Sequence, residues 1–272
     1  MSRLHQTVRV LVTVKASPQP SSQYGDTVCV AGTLMDAADP QWIRLYPVPF
    51  RYLEGTQRFS KYEIINVKLN ESTRDQRPES AKIDATSIQV DGKLSGWRAR
   101  KRWVEPLVGP TMCAMQRAAR DNVDAPSLGA IRPKTIDPNL TFSRHEPWSE
   151  KQLKAIEAAS QATLFGPAPP LTLRPPRLAV RLHFWCHEAG CTGHSLRIID
   201  WELTALQGHC ARLSEADLKA SITKMFMQRM FLRDTDPIIF VGNQADIVRR
   251  ASFTVLGVYY PNRELDTTPP ML

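Results

Sequence analysis

The sequence predicts a mainly β chain with added helices, an α+β protein of two small barrels joined by a helical, proline-rich connector, the second barrel carrying a metal-binding loop. Three observations predict it. About five short β-branched runs fill roughly the first third of the chain. Helical periodicity is confined to the middle and to one late segment. Three of the five cysteines and four of the six histidines fall between His183 and Cys210. A bound metal is the simplest physical reason for that density of soft ligands.

The elements follow in order. Residues 8–14 carry Val8, Val10, Leu11, Val12 and Val14, as a buried strand requires. Pro18 and Pro20, set among serines over 17–22, break it. Further strands are expected at 26–34, 42–46, 62–69 and 81–90, a set that fits a barrel of the OB or SH3 kind. The character then changes. Residues 98–103 are a basic run ending at Trp103, and helices are expected over 111–122 and 149–163, the second opened by Ser149 and Gln152 as a capping box. Pro167, Pro169, Pro170, Pro175 and Pro176 form a stiff connector. Strands are expected again at 178–185 and 196–203, a long helix at 214–232 and two last strands at 238–241 and 252–260. The expected domains are therefore 1–95, a connector at 96–176, and 177–272.

Composition narrows the function. The chain has 272 residues, 42% hydrophobic and 23% charged, enough to bury a core without disulfides. Five cysteines, an odd number and clustered, point to a reducing compartment. No run approaches the roughly 20 apolar residues of a membrane span. The first six residues hold no apolar stretch of the secretory kind, so no membrane and a cytoplasmic location are expected. A net charge of +8 favours a polyanion partner, most often nucleic acid.

Several phrases are more specific. Residues 24–32, from Tyr24 and Gly25 to Ala31 and Gly32, precede a second phrase that runs from Trp42, Ile43 and Arg44 to Phe50 and Arg51. Cys186, Cys191, Gly193 and His194 come next, followed by Ile198, Ile199, Asp200, Trp201 and Glu202. The end carries Phe240, Val241, Gly242 and Asn243, then Leu256, Gly257, Tyr259, Tyr260 and Pro261. In this order the chain resembles bacterial dual OB-domain proteins over most of its length. The resemblance implies two OB-like barrels and a nucleic-acid-related role alongside antiviral-defence or mobile-element genes. His209 and Cys210 depart from the family's pattern, which leaves a fourth metal ligand open.

Three candidate sites emerge. Cys186, Cys191 and His194 are the expected zinc ligands, with Cys210 as the fourth and His209, His187 and His183 as weaker options. Four protein ligands would close the site and make the zinc structural. Asp200 and Glu202, placed on one face of an expected strand, are the alternative catalytic pair; near a metal they would serve a nuclease or phosphodiesterase, and otherwise they orient a ligand or pair with an arginine. The third site is a nucleic-acid surface of Arg44, Arg51, Arg98, Arg100, Lys101, Arg102, Arg132 and Lys134, with Trp42 and Tyr46 read as stacking platforms or as core. Cys29 and Cys113 read as small buried hydrophobes. The leading expectation is a non-enzymatic nucleic-acid-binding adaptor, with single strands as the expected target and a helicase or nuclease as protein partner. A pure protein-interaction subunit is the other alternative.

Overall fold

β-Branched residues dictate the first sheet. In the computed structural model, which describes residues 6–21, 25–70, 75–162, 173–231 and 233–263, the opening run forms β1 (Thr7–Lys15) with Val8, Val10, Val12 and Val14 buried. The Ser/Pro break contains a short strand of its own, β2 (Gln19–Ser21), which pairs with β3 (Gly25–Leu34). Pro20 is tolerated there because β2 lies off the main strand path. β3 lies between β1 and β4 (Gln41–Val48), antiparallel to both. β5 (Glu63–Leu69) pairs with the other side of β1. β6 (Ser80–Ala81) runs parallel to β4, and β7 (Ile83–Lys93) runs antiparallel to β5. The strand order is β6-β4-β3-β1-β5-β7. Only Lys82 separates the two outermost strands along the chain, so the sheet bends round until its edges meet there.

The basic run is helical, α1 (Trp97–Val104). α2 (Met112–Asp121) follows, capped by the Thr111 side chain on the Ala114 N–H. The stretch expected as a helical connector also supplies three strands: β8 (Leu128–Ile131), β9 (Thr135–Ile136) and β10 (Thr141–Arg144). α3 (Glu150–Ala162) starts at the expected box, with the Ser149 N–H donating to Gln152 Oε1 at 3.0 Å. The prolines at 167–170 lie outside the described residues, as does Leu232.

Next come β11 (Leu178–Trp185) and β12 (His194–Arg197). The strand expected over 196–203 stops at Arg197. Asp200 instead accepts the Glu202 N–H and caps α4 (Trp201–His209), an aspartate before a helix-forming run being a stronger start signal than β alternation. α5 (Glu215–Thr223) is capped by Ser214 and continues as a π-helical stretch, Lys224–Arg229. β13 (Ile238–Asn243) and β14 (Phe253–Tyr259) end the fold. One sheet has the order β10-β11-β12, with β9 also on β11; another has β14-β13-β8. The described chain is thus mainly β with five α-helices, an α+β fold.

Three apolar clusters hold it. One fills the first sheet, with Val10, Val30, Leu45 and Ile65. A second lies beneath β11, β12 and α5, with Leu182, Phe184, Ile222 and Phe226. The third joins them. Val14 of β1, Ala16 just after it and Ala31 of β3 pack with Leu128, Phe240, Leu256 and Tyr259 from the last sheet.

Candidate metal centre

Strand periodicity delivers the first two ligands. Along β11 Leu178, Val180, Leu182 and Phe184 point inward, and Cys186 falls one step further in the same phase. On β12 His194, Leu196 and then Ile198 share the buried face. The register sets Phe184 opposite His194, and their rings meet at 5.2 Å. Between the strands the chain turns through Gly190 (φ 77°) and Gly193 (φ 99°), which brings Cys191 back toward Cys186. At Gly193 a Cβ would also lie 2.9 Å from Trp185 Nε1.

The fourth member comes from α2. Cys113, Cys186, Cys191 and His194 place their ligand atoms within 4.8 Å of one another. His194 Nε2 lies 3.4 Å from each of the three sulfurs, and Cys113 Sγ lies 3.6 Å from Cys186 Sγ. A tetrahedral zinc with bonds of about 2.3 Å to sulfur and about 2.0 Å to nitrogen requires S···N edges of about 3.5 Å and S···S edges of about 3.8 Å. The side chains are therefore spaced to hold a metal ion as they stand.

Electrostatics agree with the spacing. Burial opposes a charge on Cys186, yet the backbone N–H groups of Cys113 and Glu188 and the His194 ring lower its thiol to about 6. Cys113 is pushed up to about 12 by burial and by its bonds to Cys186 and Cys191. Crowded thiols cannot all ionise unless a cation compensates them, and a metal ion would supply that charge. The loop is pinned to α2 as well. Thr111 Oγ1 donates to Glu188 Oε2 at 2.6 Å, and Arg117 forms an ion pair with the same carboxylate.

Cys210, expected as fourth ligand, is not in this group. It is the C-cap of α4 and packs half-buried against the second apolar cluster. Had 196–203 been a strand, the chain would have returned directly past the loop; α4 carries it elsewhere. His209 and His187 are exposed, and His183 Nε2 bonds Thr141 Oγ1 at 2.7 Å on the outer face. Cys113, expected as a small buried hydrophobe, instead joins this group; it reads as packing because it lies 73 residues before Cys186 inside a Met-rich amphipathic helix. The available signal was its position in the first turn after a Thr cap, where free N–H groups favour a thiolate.

Asp200 and Glu202 do not form a pair beside the metal ligands. Asp200 is buried, and both its oxygens accept from Lys61 Nζ at 2.7 Å. Glu202 reaches the same ammonium at 3.5 Å. Those carboxylates hold Lys61 above its ordinary pKa although burial pulls it down. Both are thus bound to a lysine in the turn just before β5.

The expected nucleic-acid residues scatter. Arg44 is only 2% exposed, so it faces the interior, where it donates to Ser127 and to Cys29 Sγ. Arg100 stacks on Tyr62 at 3.9 Å and donates to the Leu94 carbonyl. Arg132 is tied to Glu105 and Asp236. Arg102 lies over Trp103 at 5.0 Å. Arg98 and Arg102 are exposed on α1, Lys101 and Arg51 are partly exposed, and Lys134 is exposed beside the metal loop. Trp42 packs edge-on against Phe240 at 5.5 Å, so it belongs to the apolar seam.

Comparison with protein families gives two matches. A domain of unknown function, DUF8758, matches residues 6–106. A second domain of unknown function, DUF8757, matches residues 108–270, more than half of the chain. The chain belongs to the DUF8757 family. In this DUF8757 member all four metal-site residues fall inside the DUF8757 match, and Lys61, the partner of Asp200, falls inside the other. A search of curated proteins finds no match.

Proposed function

We propose that this protein is a nucleic-acid-binding adaptor braced by one structural zinc ion and without chemistry of its own. The observation that carries the reading is the Cys113–Cys186–Cys191–His194 set. Four protein donors fill a tetrahedral shell and leave no position for water or substrate, as in structural rather than catalytic sites. Three thiolates and one imidazole suit zinc among the divalent ions.

Nucleic acid is favoured by the +8 charge and by exposed cations that the fold does not consume, Lys134 beside the metal loop and Arg174 before β11 among them. The sheet that bends round at Lys82 supports an OB-type barrel for the first half, and the resemblance to bacterial dual OB-domain proteins supports a second. That resemblance also supports a place beside defence or mobile-element genes, with a helicase or nuclease as partner. The nuclease reading itself lacks support, since Asp200 and Glu202 are both engaged by Lys61.

Fluorescence anisotropy with single- and double-stranded oligonucleotides over a salt series tests the proposal. The expected result is a linear fall of log K with log salt, with a slope near −0.7 per phosphate contact on single strands. Failure to bind any oligonucleotide at low salt would remove the nucleic-acid role, and colourless protein without zinc would remove the metal.

A further inference from the structure

A pocket of about 620 Å³ opens between the first sheet and the last one. Ala16, Cys29, Pro47, Ile199 and Leu256 give it apolar surface. Its polar groups are unusual. Asn243, 5% exposed at the end of β13, has neither its amide nitrogen nor its amide oxygen hydrogen-bonded. Arg44 is buried with its Nε unbonded, and among the described residues it forms no ion pair. A buried amide and a buried guanidinium nitrogen left open are costly, and native proteins seldom keep them without a reason.

The surroundings hold these groups in place. Arg44 is fixed by Ser127, whose hydroxyl donates to Glu79 at 2.7 Å. Arg77 is fixed by Asp75 and donates to the main-chain carbonyl of Asn243 at 2.6 Å. Arg44, Arg77 and Lys82 line the pocket against one acid, Asp75, so its charge is positive. An aromatic side chain, Tyr46, forms part of the wall. Unpaired donor and acceptor on one amide match the edge of a nucleobase, as asparagine matches adenine, while the cations suit a phosphate. The volume falls in the range of small-ligand sites, about 300–1,000 Å³.

We infer that this pocket binds one nucleotide, its base edge read by the Asn243 amide and its phosphate drawn by Arg44, Arg77 and Lys82. The inference deepens the nucleic-acid reading but does not require it, because the nucleotide is either free or the end of a strand. Calorimetry of the full chain with AMP, GMP, CMP, UMP and inorganic phosphate covers the free source. Anisotropy with short oligonucleotides covers the strand end. Each is repeated on Asn243→Leu and Asn243→Asp. The Leu variant removes an amide that bonds nothing, so its Tm should equal or exceed that of the parent while affinity falls at least tenfold. The Asp variant should bind more weakly still.

Mononucleotide binding lost in Asn243→Leu supports a free ligand, and it would stand even if no oligonucleotide bound. Oligonucleotide binding weakened tenfold in that variant, with no mononucleotide binding, supports a strand end. Oligonucleotides bound equally by parent and variant, with no mononucleotide bound, overturn the pocket and leave the adaptor role intact. Phosphate binding alone, unchanged in the Leu variant, also overturns it.

Discussion

The Cys113 sulfur lies among two other sulfurs and the ring nitrogen of His194. Cys113→Ser should therefore reduce bound zinc from one equivalent to well below it, measured by mass spectrometry of metal content, while Cys210→Ser should retain the full equivalent. Equal metal content in the two variants would refute the assignment. Gly193 is the second sensitive residue. Alanine there meets both a left-handed backbone, worth about 1–2 kcal/mol, and the Trp185 indole. Gly193→Ala should lower Tm and weaken zinc retention against a chelator together. At this scale the sequence displayed Cys186, Cys191 and His194 by density alone. Cys113 stayed hidden because its one local mark, a first-turn position after the Thr111 cap, does not by itself separate a cysteine that ligates from one that packs.

Among the elements, the start of α4 decides most. Asp200 both caps that helix and receives Lys61 from the loop before β5, and Ser17, two residues beyond β1, donates its hydroxyl to the Asp200 main-chain carbonyl. Lys61→Met would leave a buried carboxylate unpaired, a change that costs about 3–5 kcal/mol. Chemical denaturation should show that loss, and Lys61→Met combined with Asp200→Asn should recover most of it; a loss below 1 kcal/mol would mean that the pair is not buried in solution. Lys15 lies in the same corner, its ammonium 4.0 Å from the Phe50 ring centroid, and burial lowers it to about 8. A base whose folded pKa lies below its unfolded value binds fewer protons when folded, so stability rises with pH between about 8 and the usual 10.5. Lys15→Met should stabilise the protein by about 1–3 kcal/mol at pH 7, with the gain shrinking above pH 8. A constant difference across that range would contradict the shift. The strand misread at 196–203 belongs here as well. Alternation of Leu196, Ile198 and Asp200 is real over the first residues, and only the capping bond shows where it ends.

For the whole molecule, the third apolar cluster and the Lys61–Asp200 pair join the two family-matched regions through side chains of both. The four candidate metal ligands lie wholly within the second region. Chelation should therefore destabilise residues 108–270 first, and hydrogen exchange should report lost protection in β11, β12 and α2 before β1 and β3. Simultaneous loss everywhere would show instead that the seam makes the molecule a single cooperative unit. Phe240 packs edge-on against Trp42 across that seam.

By itself the sequence determined the α+β class, most strands of the first sheet, the capped helices α2, α3 and α5, and three of the four soft ligands. Each rests on local physics: side-chain period, capping chemistry and the crowding of cysteine and histidine in one loop. Tertiary structure alone decided that β8 joins the last two strands, that Arg44 turns inward while Arg132 pairs with Glu105 and Asp236, and that Cys113 meets the other three candidate metal ligands. Those outcomes depend on which distant surfaces meet when apolar area is buried, and a cysteine 73 residues away carries no mark of that meeting in its own neighbourhood.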